Sequence, residues 1–357
     1  MTLHRSVHPL DSQLSCIGSG LVTLDIVVDS ESPDQYMARS GGSCGNVMTI
    51  LAYLGWRTYP ITRLGEDYAA RVILNDFAHF GVDTTFIIRE AAVNTPAIIE
   101  DVRNSRSGSR THSYTFRCPR CGTYLLRYRA ISQKLVDRVV NEAGQAQVFY
   151  FDRMSKGILR LAKHFRKQGA LIVFEPSAIK DARLFGMAAR MTHILKYSQE
   201  RLSDVAGALG DYAVPLEIQT LGQGGLRYRS RQGRERSTRW QHMPAFRVDD
   251  VVDEAGAGDW CTSGIIHSLG RYGANSFWRT RSKGIGKALE LGQALAAISC
   301  RFKSARGVMY SHSLQEFSSF VLGLVKGQVV SVEQKLPLQG DLSEMLQSIC
   351  PGCSQVE

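Results

Sequence analysis

The sequence predicts an α/β protein built on a mostly parallel central sheet with helices on its faces. Three observations lead there. From residue 130 onward, short apolar strands alternate with helical patterns, as parallel strands joined by crossover helices require. Hydrophobic residues make up 44% and charged residues 21% of the 357 positions, an ordinary globular composition that excludes disordered, collagen-like and coiled-coil chains. The length exceeds one usual core, so a large domain with an accessory piece is expected.

Each element follows from local pattern. Residues 16–28 are apolar and β-rich and read as one buried first strand. Residues 45–54 are helical and stop at Gly55. Residues 59–63 read as a strand, and 68–80 as an amphipathic helix stopped by Gly81. Residues 97–102 and 111–116 alternate like edge strands around the turn-rich 104–108. Helices are expected at 132–143, 156–168 and 181–190, and strands at 148–151, 170–174, 193–196 and 216–220. A polar hairpin at 228–240 and long helices at 259–269 and 287–302 complete the pattern. From Lys326 the chain is weakly patterned and reads as a tail.

The balance of 43 Lys+Arg against 33 Asp+Glu gives a net charge of +10. That favours nucleotides, phosphorylated metabolites or nucleic acid as partners, and equally suits a basic soluble protein with none of these. No apolar run approaches a membrane span, so no membrane partner is expected. Residues 1–10 lack the apolar core of a signal peptide. The cytoplasm is the expected compartment, where eight cysteines serve as thiols or metal ligands rather than as a disulfide framework.

The most informative stretch is Val251-Val252-Asp253-Glu254-Ala255-Gly256-Ala257-Gly258-Asp259-Trp260-Cys261. A strand-like run enters a small-residue turn, and a helix begins at the final Asp. Gly256 and Gly258 let backbone N–H groups approach an anion, and a helix N-terminus adds positive potential. Asp259 stands where a carboxylate can take a proton from an attacking hydroxyl. Alone, the turn reads equally as a tight bend with an N-cap Asp.

Further stretches join it: Gly41-Gly42-Ser43-Cys44-Gly45-Asn46 before Leu51-Ala52-Tyr53-Leu54-Gly55, then Gly65-Glu66-Asp67, Phe80-Gly81-Val82-Asp83 and Thr220-Leu221-Gly222-Gln223-Gly224-Gly225. In this order and spacing, the set resembles the ribokinase-like (PfkB) family of carbohydrate and nucleoside kinases. The resemblance implies a three-layer sandwich over residues 14–325, a small β-sheet lid with strands at approximately 30–40 and 95–128, and a tail at 326–357. It implies ATP and Mg²⁺ as cofactors, a small sugar or nucleoside acceptor, and a homodimer through the lid as one arrangement. Asp259 falls on the family's catalytic base, and Gly256, Ala257 and Gly258 on its anion hole. Asp25, Gly41, Gly42 and Asn46 fall on the acceptor site; Ser198, Glu200, Thr220, Gly222, Gly225 and Asp253 fall on the nucleotide and magnesium site. Departures are Glu254 and Ala255 in the turn, Trp260 and Cys261 after the base, Ser198 for an Asn, Glu200 one position early, and Glu175-Pro176-Ser177 for Asp-Pro-Asn.

Two Cys-x-x-Cys pairs, Cys118 with Cys121 and Cys350 with Cys353, are foreign to that family pattern. Pro and Gly around each favour a tight turn aiming two thiolates at one ion, and four such ligands make a structural Zn²⁺ site. Disulfides, two independent thiol pairs and an intermolecular site are the alternatives. Cys16, Cys44, Cys261 and Cys300 lie in apolar surroundings and read as buried thiols.

Arg227, Arg229, Arg231, Arg234, Arg236 and Arg239 crowd one stretch beside Tyr228 and Trp240. The pattern reads first as a solvated hairpin near the nucleotide, and second as a nucleic-acid or polyanion surface. Three functions follow in order: an ATP-dependent small-molecule kinase, a non-catalytic sugar- or nucleotide-binding scaffold on the same fold, and a nucleic-acid binder using the cysteines and the hairpin.

Overall fold

The computed structural model describes residues 14–29, 32–104, 110–202, 204–210, 212–231, 239–328 and 339–353. Its amino-terminal part runs β1 (Ser15–Ser19), β2 (Thr23–Asp29), β3 (Ser32–Gly41), α1 (Ser43–Tyr53), β4 (Arg57–Gly65), α2 (Tyr68–His79), β5 (Ile87–Glu90), β6 (Ala97–Asn104) and β7 (Arg110–Thr115). An alternating stretch follows: α3 (Gln133–Glu142), β8 (Val148–Phe151), α4 (Lys156–Lys167), β9 (Leu171–Phe174), α5 (Ala182–Met191), β10 (Ile194–Ser198), α6 (Val205–Leu209) and β11 (Leu216–Thr220). Then come β12 (Leu226–Ser230), β13 (Gln241–Met243), α7 (Ala257–Leu269), α8 (Gly273–Arg279), α9 (Ser282–Ser299), α10 (Gly307–Ser311), α11 (Leu314–Val325), β14 (Gln339–Asp341) and α12 (Leu342–Ile349).

Two sheets result. The larger has nine strands in the order β13-β12-β11-β10-β9-β8-β1-β4-β5, parallel throughout except for β12 and β13 at one end. Its strands alternate sides, so two cores form. Val148, Tyr150, Leu171, Val173, Ile194 and Ile218 face a cluster with α1, α7 and α9, whereas Phe149, Phe151, Ile172, Phe174 and Leu195 face α3, α4 and α5. Helix, sheet and helix make three layers, and apolar residues on both faces explain the continuous apolar runs of these strands. Side-chain caps start several helices: Asp67 accepts from Ala70 N–H, Ser155 from Ile158 and Asp181 from Leu184.

The smaller sheet has the order β14-β3-β2-β6-β7. Here the expected single strand at 16–28 divides. β1 belongs to the large sheet and β2 to the small one. Asp152 makes the break: its Oδ1 accepts from Leu21 N–H over 2.9 Å, and a Cβ on Gly20 would lie 1.5 Å from that oxygen. Both halves are apolar, so hydrophobicity alone carries no sign of the division.

The long helix expected at 287–302 begins earlier, at Ser282, and α7 begins at Ala257. The hairpin around 228–240 is formed by β12 and β13; Arg234 and Arg236 lie outside the described residues. Within the expected tail, β14 pairs with β3, and α12 packs against β3 and α2. Among the described residues no helix is long and apolar enough to cross a membrane.

Candidate active site

The carboxyl ends of parallel strands are where α/β sheets gather ligands, and the residues of interest meet there. Gly256 caps α7 with φ 72°, a left-handed backbone that favours glycine, and a Cβ at this position would meet Ala305 Cβ at 2.6 Å. The first-turn amides of α7 lack carbonyl partners within their own helix. Gly258 is exposed at the head of that turn.

Asp259 follows, half-buried. Its Oδ2 accepts from Asn46 Nδ2 over 2.8 Å. Burial, then the charge of Glu175, push its carboxyl up to about 7, against the Asn46 hydrogen bond and the charges of Lys196 and Arg201. Beneath the turn, Lys196 of β10 donates to Gly258 O over 3.1 Å and forms a buried ion pair with Glu175. Burial opposes the Lys196 charge, but Glu175 outweighs it and holds the ammonium above its ordinary range. Glu175 also accepts from Thr262 Oγ1 over 2.6 Å. This layer under the turn was not singled out from sequence; Glu175 showed only as a departure.

On the lid side, Asp25 of β2 accepts from Thr23 Oγ1 and from the Gly42 amide. Burial pushes its carboxyl up against these donors and Arg306. Gly41 lies so close that a Cβ would sit 1.9 Å from Asp25 Oδ2. Gly42, with φ 76°, caps α1, and Asn46 lies buried on the first turn. Thus Asp25, Gly41, Gly42, Asn46 and Asp259 form one continuous patch.

A second patch adjoins it. Ser198 at the end of β10 pairs in register with Thr220 at the end of β11. The Ser198 hydroxyl accepts from Glu200 N–H over 3.2 Å, and a Cβ on Gly222 would lie 3.8 Å from Glu200 Oε1. Gly225 has φ 87° and abuts Met243 O, where a Cβ would come within 2.3 Å. Asp253 differs from its neighbours: its oxygens accept from the amides of Ala255 over 2.7 Å and Ser304 over 2.6 Å, stapling the turn to the 304 loop.

The departures after Asp259 point away from the cleft. Trp260 is fully buried, packs on Tyr53 and Phe317, and donates to Ala305 O over 2.9 Å. Cys261 is buried where α7 crosses α9 at Gly292.

Sequence reasoning also passed over Arg306. It is 2% exposed and donates to Asn46 Oδ1 over 3.0 Å, to Asp76 over 2.8 Å and to Ser40. No periodic signal marks it, because it lies in a loop far from its partners in sequence.

Beyond β7, the Sγ atoms of Cys118, Cys121, Cys350 and Cys353 lie within 4.8 Å of one another. Arg227 and Arg229 are internally engaged: they pair with Gln219 and Glu217, and both guanidinium groups stack on Trp240 at 4.7 Å.

Comparison with known proteins bears on the fold that carries this site. The family described as pfkB family carbohydrate kinase matches residues 11–112, a stretch that covers Asp25 and the Gly41-Gly42 segment and ends well before the α7 turn. The aminoimidazole riboside kinase of Salmonella typhimurium is 27% identical over 276 residues, covering 71% of this chain and 80% of that protein. The ribokinase of Haemophilus influenzae is 23% identical over 290 residues, covering 76% and 84%. Among solved structures, fructokinase from Xylella fastidiosa with bound ATP superposes with TM-score 0.64 at 20% identity, over 89% of this chain and 99% of that one. Aminoimidazole riboside kinase from Salmonella enterica, complexed with aminoimidazole riboside and an ATP analog, gives 0.64 at 20% identity over 86% and 99%. Residues 11–112 match the pfkB family carbohydrate kinase model, and ribokinase-like kinases are among the relatives and structural neighbours of the chain.

Proposed function

We propose that the protein is an ATP-dependent kinase that phosphorylates a hydroxyl of a small sugar or nucleoside-like acceptor. The observation that carries this reading is Asp259, a carboxylate raised to about 7 at the exposed head of α7. A base tuned near neutral pH is ionised in a substantial fraction of molecules there and holds a proton taken from a hydroxyl more readily than an ordinary carboxylate does. The Gly256, Ala257 and Gly258 turn then offers backbone amides, with the Ala257 N–H shared with Glu254 O over 3.2 Å, to the negative charge that develops on the transferring phosphoryl group. Lys196, fixed below by Glu175, adds positive potential to the same point.

Asp25, Gly41, Gly42 and Asn46 form the acceptor side. The Asp25 carboxylate accepts hydrogen bonds from acceptor hydroxyls, and the two glycines let the acceptor approach the backbone. Ser198, Glu200, Thr220, Gly222 and Gly225 form the nucleotide side at the strand ends, with Asp253 bracing the turn between the two. ATP and Mg²⁺ are the cofactors of this reading. The Glu200 carboxylate and Ser198 hydroxyl are hard oxygen donors of the kind Mg²⁺ takes, and the ion would supply charge neutralisation between the phosphates. Zn²⁺ at Cys118, Cys121, Cys350 and Cys353 is the second metal ion of this reading. The cytoplasm, which supplies ATP and keeps thiols reduced, is the compartment it requires.

A coupled assay of ADP release over ribose, fructose, aminoimidazole riboside and related acceptors tests the proposal. Acceptor-dependent ADP release, abolished in Asp259→Asn, is the expected result. Ligand-induced thermal shifts without turnover would instead establish a binding protein on this fold.

A further inference from the structure

Each strand of the small sheet turns alternate residues to opposite faces. Leu24, Ile26 and Val28 of β2, Tyr36 and Ala38 of β3, and Ala97 and Ile99 of β6 belong to one buried cluster. Asp25, Arg39 and Ile98 stand opposite one another on the other face, toward the acceptor site. The apolar face is covered by α2 and by α12, whose Met345 and Leu346 are buried in that cluster. The C-terminal segment therefore forms part of the lid. It enters at one edge, where β14 pairs with β3. It ends beside the cysteine turn that follows β7, the strand at the opposite edge.

Four thiols meet at that end. Cys118 and Cys353 sulfurs lie 3.6 Å apart, and Cys121 and Cys350 sulfurs 3.3 Å apart. Thiolates about 2.3 Å from a tetrahedral Zn²⁺ lie about 3.8 Å from one another, so the cluster has the size of a ZnS₄ site, whereas a disulfide would need about 2.05 Å. Each pair sits on a tight turn: Gly122 N–H donates to Cys118 O over 2.8 Å, and Cys353 N–H to Cys350 O over 3.0 Å. Gly352 permits the two turns to meet, since a Cβ there would lie 2.2 Å from Thr123 Oγ1 and 3.0 Å from Cys121 Sγ. Cys118, Cys350 and Cys353 are buried, and Cys121 is exposed on the side from which an ion can enter. Four protein ligands leave no open position, which makes the ion structural rather than catalytic.

We propose that one Zn²⁺ held by these four thiolates fastens the C-terminal segment across the apolar face of the lid and thereby holds the Asp25 face in place for the acceptor. This rests on the kinase reading only for the role of Asp25; the metal and the fastening stand apart from it. The ligands come from turns 229 and 235 residues apart in the chain. Metal binding energy is folding energy for whatever the ligands join, and here they join α12 to the lid sheet. Zinc occupancy thus sets the order of the lid without touching the α7 turn.

Metal analysis of the full-length protein, purified under reducing conditions, is the first measurement. One Zn²⁺ per chain is expected, lost in Cys350→Ser/Cys353→Ser. Hydrogen–deuterium exchange then compares three samples: zinc-loaded protein, the same protein stripped by chelation, and stripped protein given Zn²⁺ again. Stripping is expected to speed exchange in peptides covering β3, β6 and α12, to leave β8, β9 and β10 unchanged, and to be reversed by Zn²⁺. The stripped wild type carries the test if the double variant fails to fold. A protein that takes up no Zn²⁺, even when supplied with it, overturns the metal site. Bound Zn²⁺ whose removal leaves lid exchange unaltered overturns the fastening role. Zinc-dependent lid order without phosphorylation of any acceptor would support the staple and count against the kinase reading alone.

Discussion

Asn46 donates to Asp259 over 2.8 Å while its carbonyl oxygen accepts from Arg306 over 3.0 Å, so a single amide connects a buried cation to the carboxylate at the head of α7. Arg306 has donors only, which fixes the Asn46 oxygen toward it and the NH₂ group toward Asp259. Asp76 anchors the other end of the line. Burial works against its charge, but Arg306, Ser40 and Tyr310 outweigh that and hold its carboxyl below the ordinary range. The chain Asp76–Arg306–Asn46–Asp259 ties α2, the 306 loop, α1 and α7 into one rigid constellation.

Replacing Asn46 by Ala should therefore move the acid limb of the activity profile upward. The lost hydrogen bond stabilises the ionised form of Asp259, so without it protonation occurs at higher pH. The wild-type limb is expected near pH 7, the value to which Asp259 is pushed. Profiles of kcat/KM against pH for both proteins check this; an unmoved limb would separate Asn46 from the tuning of Asp259.

Glu175→Gln should shift the same limb the other way. Glu175 is the charge that raises Asp259, and its loss also leaves the positive Lys196 less neutralised beneath the turn. Both changes favour the ionised base, so activity should persist to lower pH. The variant should also be less stable, because Lys196 is 2% exposed and loses the carboxylate it pairs with, retaining its hydrogen bond to Gly258 O. Opposite shifts in the Asn46 and Glu175 variants would be hard to obtain from general loosening of the site.

Asp259→Asn should lower kcat by about 10²–10⁴-fold, the usual worth of a positioned base. Stability should respond in the opposite direction. The folded protein keeps a proton on Asp259 up to about pH 7, whereas the unfolded chain loses it near the ordinary value of 3.8. Folding stability from this group therefore falls as pH rises between those values and stays low above them. The Asn variant escapes that loss, so its Tm should exceed the wild type's at pH 8 and approach it at pH 4. Thermal melts at the two pH values make the comparison.

How much of this was legible in the sequence depends on which residues carried the information. The parallel strands and their helices were readable because β8 and β9 are buried on both faces and apolar throughout, and β10 and β11 keep apolar residues at Ile194, Leu195, Leu216 and Ile218. The Gly256-Ala257-Gly258-Asp259 turn was readable because a left-handed cap admits little else at Gly256. The split between β1 and β2 was hidden, since its cause is the carboxylate of Asp152, 131 residues from Leu21. Arg306 was hidden for the same reason: its partners Asn46 and Asp76 lie 260 and 230 residues away. The folding of 339–353 onto the lid escaped notice because β14 is only three residues long and α12 eight. Only the cysteines signalled that this end of the chain had a distant partner.

The arginine-rich hairpin offers the last test, because among its described residues Arg227 and Arg229 turn their charge inward. Arg229 pairs at 2.7 Å with Glu217, which is 1% exposed, and stacks with Arg227 on Trp240. A surface built to bind RNA keeps such groups available to phosphates, and neutralised phosphates make affinity fall steeply with salt. Here Arg229→Ala should act on stability. It leaves a buried carboxylate without its cation, a loss of about 3–5 kcal/mol when no other donor remains. Tyr197 still donates to Glu217 over 2.9 Å, which places the expected loss at the lower end of that range. Urea unfolding of the variant measures the loss, and filter binding to single-stranded RNA across a salt series should show none of the steep dependence of a phosphate-binding surface. Tight, salt-sensitive RNA binding that disappears in Arg229→Ala, with stability unchanged, would reverse this assignment and make the hairpin a nucleic-acid surface.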